Sequence, residues 1–403
     1  MNIAVIGGGA SGMMAALRAC REGNRVTIYE RQARLGKKLS ATGNGRCNLS
    51  NRNAAAAHYH GADPDFVVPS LERFGVERTL AFFEGLGLLT VTEADGRVYP
   101  FSDQANSVLD VLRLALEASG CELKLGCEIL SVKRRKGQFY LEFADGCASA
   151  DKVIVACGGL AGDRLGGVGA GYAILKSFGH RCTKLYPALT QLRTDPARVR
   201  SLKGVRCTAV VALLQNGRLL AQEEGEVQFT EFGLSGPCVF PLARSCAGQS
   251  DRLEAVLDLC PCRTEEALAA FLTERKQRFP ELTMENYLTG LLHNRLGRTV
   301  LRHLGFAFEQ PAAELTGQQL KQIAAAIKHF SFPVSGAMDL SQAQVTAGGI
   351  MTSEFDPVTL ESRLVPGLYA TGEVLDIDGD CGGYNLQWAW SSGWTAGGIE
   401  DHK

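Results

Sequence analysis

The sequence predicts an α/β fold, in which a parallel sheet with helices carries an inserted antiparallel β-barrel plus a helical region. Three observations lead to this prediction. Residues 1–30 run as strand, glycine-rich turn, helix and strand. From about residue 189 the pattern changes to hairpins and then to amphipathic helices, and the end of the chain returns to strands that stop in glycine-rich loops. The predicted divisions are 1–188, 189–262, 263–334 and 335–403.

The first thirty residues have the pattern of a dinucleotide-binding unit. Residues 2–6 are an apolar run, typical of a buried parallel strand. Gly7, Gly9 and Gly12 follow as G-x-G-x-x-G, which permits a tight turn, close approach of a pyrophosphate and close packing of the next helix. Glu30 comes 18 residues after Gly12, near the place where an acid binds a ribose hydroxyl and repels a 2′-phosphate. The alternative is a glycine-rich loop of another α/β protein, but strands, helix and acid all fit the dinucleotide unit.

Composition limits the classes of partner. The chain has 403 residues and a formal net charge of -1, from 42 basic and 43 acidic residues, so neither nucleic acid nor an anionic membrane is favoured as a partner. No apolar run reaches transmembrane length and no signal peptide is evident, so we expect a cytoplasmic protein. The thirteen cysteines are scattered without a C-x-x-C pair, which gives no metal site, and most are expected to be small buried residues.

The loop that follows Glu30 favours a phosphate-binding role. It contains glycines, small polar residues and the cations Lys37, Lys38 and Arg46. Backbone and cations of this kind can hold phosphates and a polar ring edge. A solvated basic loop is the alternative.

The next elements complete the first part of the sheet. The patterns predict a helix over 64–89, a hairpin over 89–101, a helix over 103–119 with Ser102 as N-cap, a parallel strand over 121–125 and a meander over 129–151. Residues 152–157 read as a buried parallel strand. Gly158 and Gly159 follow it and would bring backbone close to a ligand again, although a simple turn is the alternative.

The middle of the chain has a different sequence pattern, with hairpin strands followed by helices. Strands are predicted at 205–214, 219–224, 227–230 and 253–258, with a hairpin turn at Asn216-Gly217. The segment from 264 to 330 reads as helical, and Thr316 to Gln319 form a capping box. This part lacks glycine-rich loops, so we interpret it as an insertion that covers a site.

The last part of the chain again has the pattern of its first part, with strands that end in glycine-rich loops. Residues 346–350 read as a strand end or bulge, and residues 368–373 as a strand that runs into a Gly-acid turn. A loop rich in glycine, acids and aromatics follows, and a final helix is predicted from Ala389, with residues 382–385 at its N-terminus. Carbonyl groups of a ring or ribityl hydroxyls could dock there. A surface loop with acids is the alternative.

Five motifs in this order carry a family resemblance. They are G-G-G-A-S-G, G-K-K-L-S-A-T-G-N-G-R-C-N-L-S-N, C-G-G, G-E-V-Q-F-T-E-F-G-L-S-G-P and T-G-E-V-L-D-I-D-G-D-C-G-G-Y-N-L-Q-W-A-W. The chain resembles, over nearly its whole length, the bacterial FAD-dependent oxidoreductases that include 3-dehydro-bile-acid reductase and aminoacetone oxidase, and more distantly the fumarate reductase flavoprotein. The resemblance implies a Rossmann-like FAD-binding domain in two parts, with the barrel and helices inserted between them.

The resemblance also implies where FAD lies. The first glycines would hold the pyrophosphate and Glu30 the adenosine ribose, Lys37 and Lys38 would lie near the phosphates, and residues 42–48 near the flavin ring. Residues 372–373 would meet the ribityl and pyrophosphate region, and residues 383–386 the pyrimidine end. The candidate cofactor contacts are Gly7, Gly9, Ala10, Ser11, Gly12, Glu30, Arg31, Lys37, Lys38, Thr42, Gly43, Asn44, Gly45, Arg46, Cys47, Asn48, Ile129, Ala156, Gly158, Gly159, Gly372, Glu373, Gly383, Tyr384, Asn385 and Leu386.

We expect a two-electron exchange at flavin N5, in the direction that reduces an activated double bond of a small organic substrate with electrons from NADH or NADPH. Arg46 is the catalytic candidate for stabilising the reduced flavin and a developing enolate, unless it contacts only phosphate. Tyr384 is the candidate proton donor, unless it only stacks beside the ring. Only one dinucleotide fingerprint is present, so NAD(P)H would visit the flavin transiently.

Two other functions remain as alternatives. The first is a flavin-dependent amine oxidase that uses oxygen, which flavin reduction by an amine but not by NAD(P)H would support. The second is a non-catalytic flavin, nucleotide or RNA-binding module, against which the near-neutral charge counts. The sequence gives no oligomeric state.

Overall fold

The computed structural model describes residues 1–246 and 252–399. The chain divides into two compact units, of which one comprises Met1–Tyr186 with Leu340–Lys403 and the other Pro187–Asp339. The predicted fold class, an α/β sheet domain with an inserted antiparallel barrel and helices, is confirmed.

The first unit is built on a five-stranded parallel sheet. Its strands, in spatial order, are Leu368–Ala370, Lys152–Val155, Asn2–Ile6, Arg25–Glu30 and Glu122–Leu125. The central strand is apolar because it is covered on both faces, and Val5 is fully buried there. Because the strands are parallel, their carboxyl ends meet at one edge of the sheet, where ligands of such folds bind.

Smaller elements surround this sheet. The helices of the unit are Ala10–Arg21, Val68–Arg73, Val76–Gly85, Ala105–Ala118, Ala170–Ser177 and Tyr384–Gly397. The other strands are Ser50–Asn51, Tyr59–His60, Thr90–Thr92, Arg97–Pro100, Ile129–Arg135, Gln138–Phe143, Gly146–Ala150, Val345–Ala347 and Asp378–Gly379, and Tyr186–Ala188 spans the boundary with the second unit. Across residues 1–246 and 252–399, no helix has the length and apolar character needed to cross a membrane.

The first and last helices of the unit pack unusually closely. A Cβ at Gly393 would lie 2.4 Å from the carbonyl oxygen of Ser11, and one at Gly397 would lie 2.3 Å from that of Ala15. Only glycine permits this approach. The C-terminal helix therefore lies directly on the helix that follows the first glycine turn.

Four local predictions need correction. Ser102 is not an N-cap, because Asp103 adopts φ +57 and the helix begins at Ala105 without a side-chain cap. The last helix begins at Tyr384 rather than Ala389, since Gly383 in the left-handed region ends the preceding loop. The predicted helix over 64–89 is interrupted at residues 74–75. The strands predicted at 219–224 and 227–230 are one strand, Arg218–Phe229.

The second unit is a closed six-stranded barrel with helices. The barrel order is Leu192–Thr194, Gly233–Ser235, Arg218–Phe229, Arg206–Gln215, Leu253–Asp258 and Phe330–Ala337. Its helices are Pro196–Val199, Leu242–Ser245, Glu265–Arg278, Asn294–His303 and Gly317–Lys328. The predicted capping box at Thr316 is present.

The barrel and the helices alternate along the chain. The strand Phe330–Ala337 comes after the three long helices and pairs with both Leu253–Asp258 and Leu192–Thr194, which closes the barrel. This differs from the predicted division into a barrel over 189–262 and helices over 263–334.

Candidate functional site

The glycines of the turn after the first strand have different surroundings: two are packed tightly against backbone atoms, and the third borders empty space. A Cβ at Gly7, where φ is +107, would lie 2.5 Å from the carbonyl oxygen of Ala156, and one at Gly12 would lie 1.9 Å from that of Gly7. A Cβ at Gly9 would meet no atom within 4 Å, and no side chain caps the helix Ala10–Arg21. The helix therefore begins beside open space with its first N–H groups uncapped, an arrangement that fits a pyrophosphate.

A second glycine turn lies against the same helix. Gly372 adopts φ +76, and a Cβ there would lie 2.6 Å from Oγ of Ser11. Its N–H donates to Oγ of Ser392, and its carbonyl accepts from the indole of Trp388. The turn after the strand Leu368–Ala370 is thus held between the first and last helices of the unit.

The carboxylate of Glu30 is fixed beside the first glycine turn. It accepts hydrogen bonds from the backbone N–H groups of Gly8 and Gln32, both at 2.7 Å. Burial, with a further contribution from Glu30, raises the pKa of the Cys157 thiol to about 12, although Arg31 opposes the shift. The thiol near this carboxylate therefore stays neutral at neutral pH.

An ion pair joins the loop after Glu30 to the second glycine turn. Nζ of Lys38 lies 2.7 Å from Oε2 of Glu373, whose Oε1 accepts from the N–H of Thr346 at 2.8 Å. A Cβ at Gly159 would lie 2.4 Å from Oγ1 of Thr346 and 2.6 Å from Oε1 of Glu373. These distant segments therefore meet in one place, whereas Lys37 is exposed and bonds Gln32.

The guanidinium of Arg46 is already paired. Its Nε donates to Asp103 and its Nη2 donates to Glu93 at 3.0 Å, and it lies 4.1 Å from the ring centre of Tyr99. The hydrogen bonds to Asp103 and then Glu93 raise the pKa of Arg46 further above its usual range. Two carboxylates thus balance the positive charge of Arg46, which the sequence suggested would stabilise the reduced flavin.

The loop from Thr42 to Asn48 has an irregular backbone. Its residues with positive φ are Gly43, Asn44, Gly45 and Cys47. Cys47 is fully buried, and burial raises the pKa of its thiol to about 12. Cys47 is therefore a neutral packing residue, and none of the chain's thirteen cysteines forms a disulfide.

The segment before the last helix packs against the residues that follow this loop. A Cβ at Gly383 would lie 2.3 Å from the carbonyl oxygen of Ser50, and the side-chain amide of Asn51 donates to the carbonyl of Gly382 at 2.9 Å. The two segments that the resemblance assigns to the flavin ring therefore adjoin each other.

The first turn of the last helix has defined contacts. The ring of Tyr384 stacks on that of His58, with centroids 4.4 Å apart and planes at 23°, and burial raises the pKa of its phenol. The amide of Asn385 exchanges two hydrogen bonds of 2.8 Å with the backbone of Gly379. Leu386 is half-buried and packs on the core.

The remaining candidates are spread over the unit. Ile129 is buried in the meander opposite Phe143, at some remove in sequence from the glycine turns. Gly158 adopts φ +71 three residues after the end of the strand Lys152–Val155, and Arg31 is half-buried.

Sequence reasoning missed one cluster of titratable side chains. Nδ1 of His58 lies 3.0 Å from Oδ2 of Asp380, and Nε2 of His60 lies 2.7 Å from Oδ1 of the same carboxylate. Burial alone would raise the pKa of Asp380, but the hydrogen bonds from His60 and His58 outweigh it and lower the pKa. The sequence feature that could have revealed this cluster is the triplet His58-Tyr59-His60. Asp380 lies 320 residues after His60, and the pairing of the strands Tyr59–His60 and Asp378–Gly379 brings them together.

The parallel sheet, the glycine turns and their helices define the class of Rossmann-type FAD-dependent oxidoreductases. The family model described as HI0933-like protein Rossmann domain matches residues 1–399, and the chain belongs to this family. The resemblance found in the sequence is thereby confirmed.

Individual relatives match over nearly their whole length. The chain is 40% identical over 402 residues to the 3-dehydro-bile acid delta(4,6)-reductase of Clostridium scindens, covering 98% of each chain. It is 29% identical over 393 residues to the ribosomal RNA dihydrouridine synthase of Escherichia coli, covering 97% of this chain and 96% of the relative. The structure of a 3-ketosteroid delta1-dehydrogenase from Sterolibacterium denitrificans superposes with a TM-score of 0.51 over 98% of both chains at 13% identity, a likeness of fold alone.

Proposed function

We propose that the protein is an NAD(P)H-linked, FAD-dependent reductase that saturates an activated carbon–carbon double bond in a small organic molecule. The observation that carries the proposal is the 40% identity to a reductase over 98% of both chains. The name of the more distant relative, a dihydrouridine synthase, also denotes saturation of a carbon–carbon double bond. Two relatives of different substrate thus point to one reaction type.

The residues at the carboxyl edge of the sheet fit FAD. The open space at Gly9 and the uncapped helix beside it would take the pyrophosphate, and the carboxylate of Glu30 would take the ribose. Lys38 and Glu373 would lie along the phosphates and ribityl chain. When bound, FAD supplies the two-electron transfer between the nicotinamide and the substrate.

The chain itself must position the substrate and supply a proton, because saturating a double bond adds one hydride and one proton. Tyr384 has its phenol pKa raised by burial, so it stays protonated at neutral pH and can donate a hydrogen bond to a carbonyl of the substrate. Such a bond would polarise the double bond conjugated to that carbonyl. Only one dinucleotide fingerprint occurs in the sequence. NAD(P)H would therefore bind beside the flavin ring in the same space as the substrate, and it would leave before the substrate binds.

A second candidate substrate is uridine in ribosomal RNA. The matches at 29% and 28% identity to two dihydrouridine synthases favour it. The lower identity and the net charge of -1 favour a small molecule instead. An amine oxidase remains the alternative in which the electrons flow towards oxygen.

The test is product analysis by mass spectrometry. The FAD-loaded protein is incubated without air with NADH or NADPH and, separately, with 4-androstene-3,17-dione, 2-cyclohexen-1-one and unmodified ribosomal RNA. We expect an enone to gain two hydrogens in a reaction that consumes NAD(P)H. Gain of two hydrogens in RNA alone would replace the small-molecule proposal with the second candidate. Oxygen consumption with amines and no product from any acceptor would contradict both.

A further inference from the structure

In the first unit, a carboxylate shared by two imidazoles lies beside the residues assigned to the flavin ring, 42–48 and 383–386. Asp380 binds His58 through one oxygen, at 3.0 Å, and His60 through the other, at 2.7 Å. The side chains of all three keep about a third of their surface exposed, at 35%, 36% and 35% for His58, His60 and Asp380. A purely structural bridge would be expected to be buried, whereas these groups can exchange protons with water or a ligand.

The cluster is placed next to the residues assigned to the flavin ring. The ring of His58 stacks on Tyr384, the first residue of the last helix. The loop that carries Asp380 is held by Asn385, and Gly383 touches the backbone of Ser50 at the end of the ring-side loop. The imidazole of His58 is therefore adjacent to the predicted pyrimidine end of the flavin.

The hydrogen bonds also orient His58. Its Nδ1 faces the carboxylate of Asp380, and no described residue hydrogen-bonds to its Nε2. A carboxylate that fixes one nitrogen of an imidazole leaves the other available to give or take a proton. By contrast, the guanidinium of Arg46 is engaged by two carboxylates.

We propose that His58 donates the proton that completes double-bond reduction, with Asp380 and His60 as its positioning residues. This inference rests on the proposed reductase function. A hydride that originates from NAD(P)H forms a C–H bond at one carbon of the double bond. The π electron pair moves onto the conjugated carbonyl to give an enolate. The enolate pair then returns to carbon and forms the second C–H bond with the proton from Nε2 of His58. The N–H bond breaks, His58 is left neutral, and it regains a proton from water.

Other titratable or charged groups surround the cluster and share its electrostatics. They are Tyr59, Asp95, Arg97, Asp376, Asp378, Cys381 and Tyr384. Tyr384 is the only one of these that is also a candidate proton donor, so the experiment must separate it from His58.

The experiment measures two half-reactions of the full-length FAD-loaded protein by stopped-flow absorbance. The first is reduction by NAD(P)H, and the second is reoxidation by 4-androstene-3,17-dione or 2-cyclohexen-1-one without air. In His58→Gln we expect the first to stay within about twofold, and the second to slow by roughly 10²- to 10⁴-fold, the usual contribution of a positioned proton donor. His329→Gln, an exposed histidine of the second unit, is the matched control and leaves both unchanged.

Proton donation has a second readout that a structural role would not move. The second half-reaction of the unaltered protein should depend on pH, and His58→Gln should abolish that dependence. Asp380→Asn should slow the second half-reaction by a smaller factor than His58→Gln does, because it replaces one of the two carboxylate oxygens that bind His58 and His60.

Three outcomes would overturn the proposal. They are a normal second half-reaction in His58→Gln, an equal loss in both half-reactions, and loss of the pH dependence in Tyr384→Phe but not in His58→Gln. If NAD(P)H does not reduce the unaltered protein, the reductase function itself has failed. Reduction with dithionite then still tests His58 in the second half-reaction, so the two failures are distinguishable.

Discussion

Substitution by alanine should affect stability differently at two glycines of the first turn. In Gly12→Ala the new Cβ would lie 1.9 Å from the carbonyl oxygen of Gly7, far inside the 3.0 Å that such contacts require, so the strand, turn and helix must separate. Overpacking of this kind destabilises by about 1–3 kcal/mol or more. In Gly9→Ala the Cβ meets nothing within 4 Å, and φ of -79 suits alanine.

The magnitude for Gly9→Ala follows from two small opposing effects. Alanine is a poorer N-cap than glycine by about 0.5–1 kcal/mol. It also reduces the entropy of the unfolded chain, which stabilises by about 0.4–1 kcal/mol. The free energy of unfolding of the apoprotein should therefore change by less than about 0.5 kcal/mol. Its methyl group would fill the space proposed for the pyrophosphate, and FAD affinity should fall about 10- to 100-fold.

The assay combines urea denaturation of the FAD-free protein with titration of FAD followed by its fluorescence. Gly12→Ala should lose both stability and FAD binding, whereas Gly9→Ala should lose FAD binding alone. Unchanged FAD affinity in Gly9→Ala, or a loss of apoprotein stability equal to that of Gly12→Ala, would refute the assignment of the open space to the pyrophosphate.

Three further predictions concern the ion pair, the core and the thiols. Lys38→Met should weaken FAD binding about tenfold, or ~1.4 kcal/mol, because the carboxylate of Glu373 loses its cationic partner at the position proposed for the phosphates. Adding Glu373→Gln should restore most of the affinity in the same titration. Gln387→Leu should lower the free energy of unfolding in urea by about 1–3 kcal/mol, because this fully buried amide bonds four partners whose groups would be left unsatisfied; no change would contradict that role. Burial raises the pKa of Cys47 to about 12, so at pH 8 iodoacetamide should label the exposed Cys147 and spare Cys47, as read by mass spectrometry of the native protein.

The parallel sheet was accessible from the sequence because its signals are local. The strands Asn2–Ile6, Lys152–Val155 and Leu368–Ala370 are mainly apolar, and each reaches a glycine within three residues of its end. Gly7 and Gly12 are required by contacts with neighbouring backbone, which the motif encodes directly. The sequence pattern of residues 1–30 was therefore sufficient to predict the geometry of the first strand, turn and helix.

Features that depend on distant pairings were not accessible. The closing strand of the barrel, Phe330–Ala337, is recognised only by its partners Leu253–Asp258 and Leu192–Thr194, far away in the sequence. His58 and Asp380 meet through strands of two residues each, too short to give a pattern. The start of the last helix was misjudged because the aromatic and amide residues after Gly383 resemble a binding loop, although they are helical.

The same limit applies to charges. The sequence showed Arg46 in a glycine-rich loop without an evident acidic partner, but Glu93 and Asp103, which pair with it, lie in the following hairpin and just before the next helix. Lys38 was predicted near phosphates, and its partner Glu373 comes 335 residues later. Sequence position identifies a charged residue, whereas only the fold shows whether another charge already balances it.

The proposed function requires that the protein binds FAD and receives electrons from NAD(P)H. The most direct measurement is an anaerobic titration of the purified, FAD-loaded protein with NADH and then NADPH, followed by the absorbance of the oxidised flavin. We expect rapid bleaching with at least one of the two donors. Failure of both to bleach a bound flavin would contradict the reductase function, and failure of the protein to bind added FAD would contradict the assignment of the site itself.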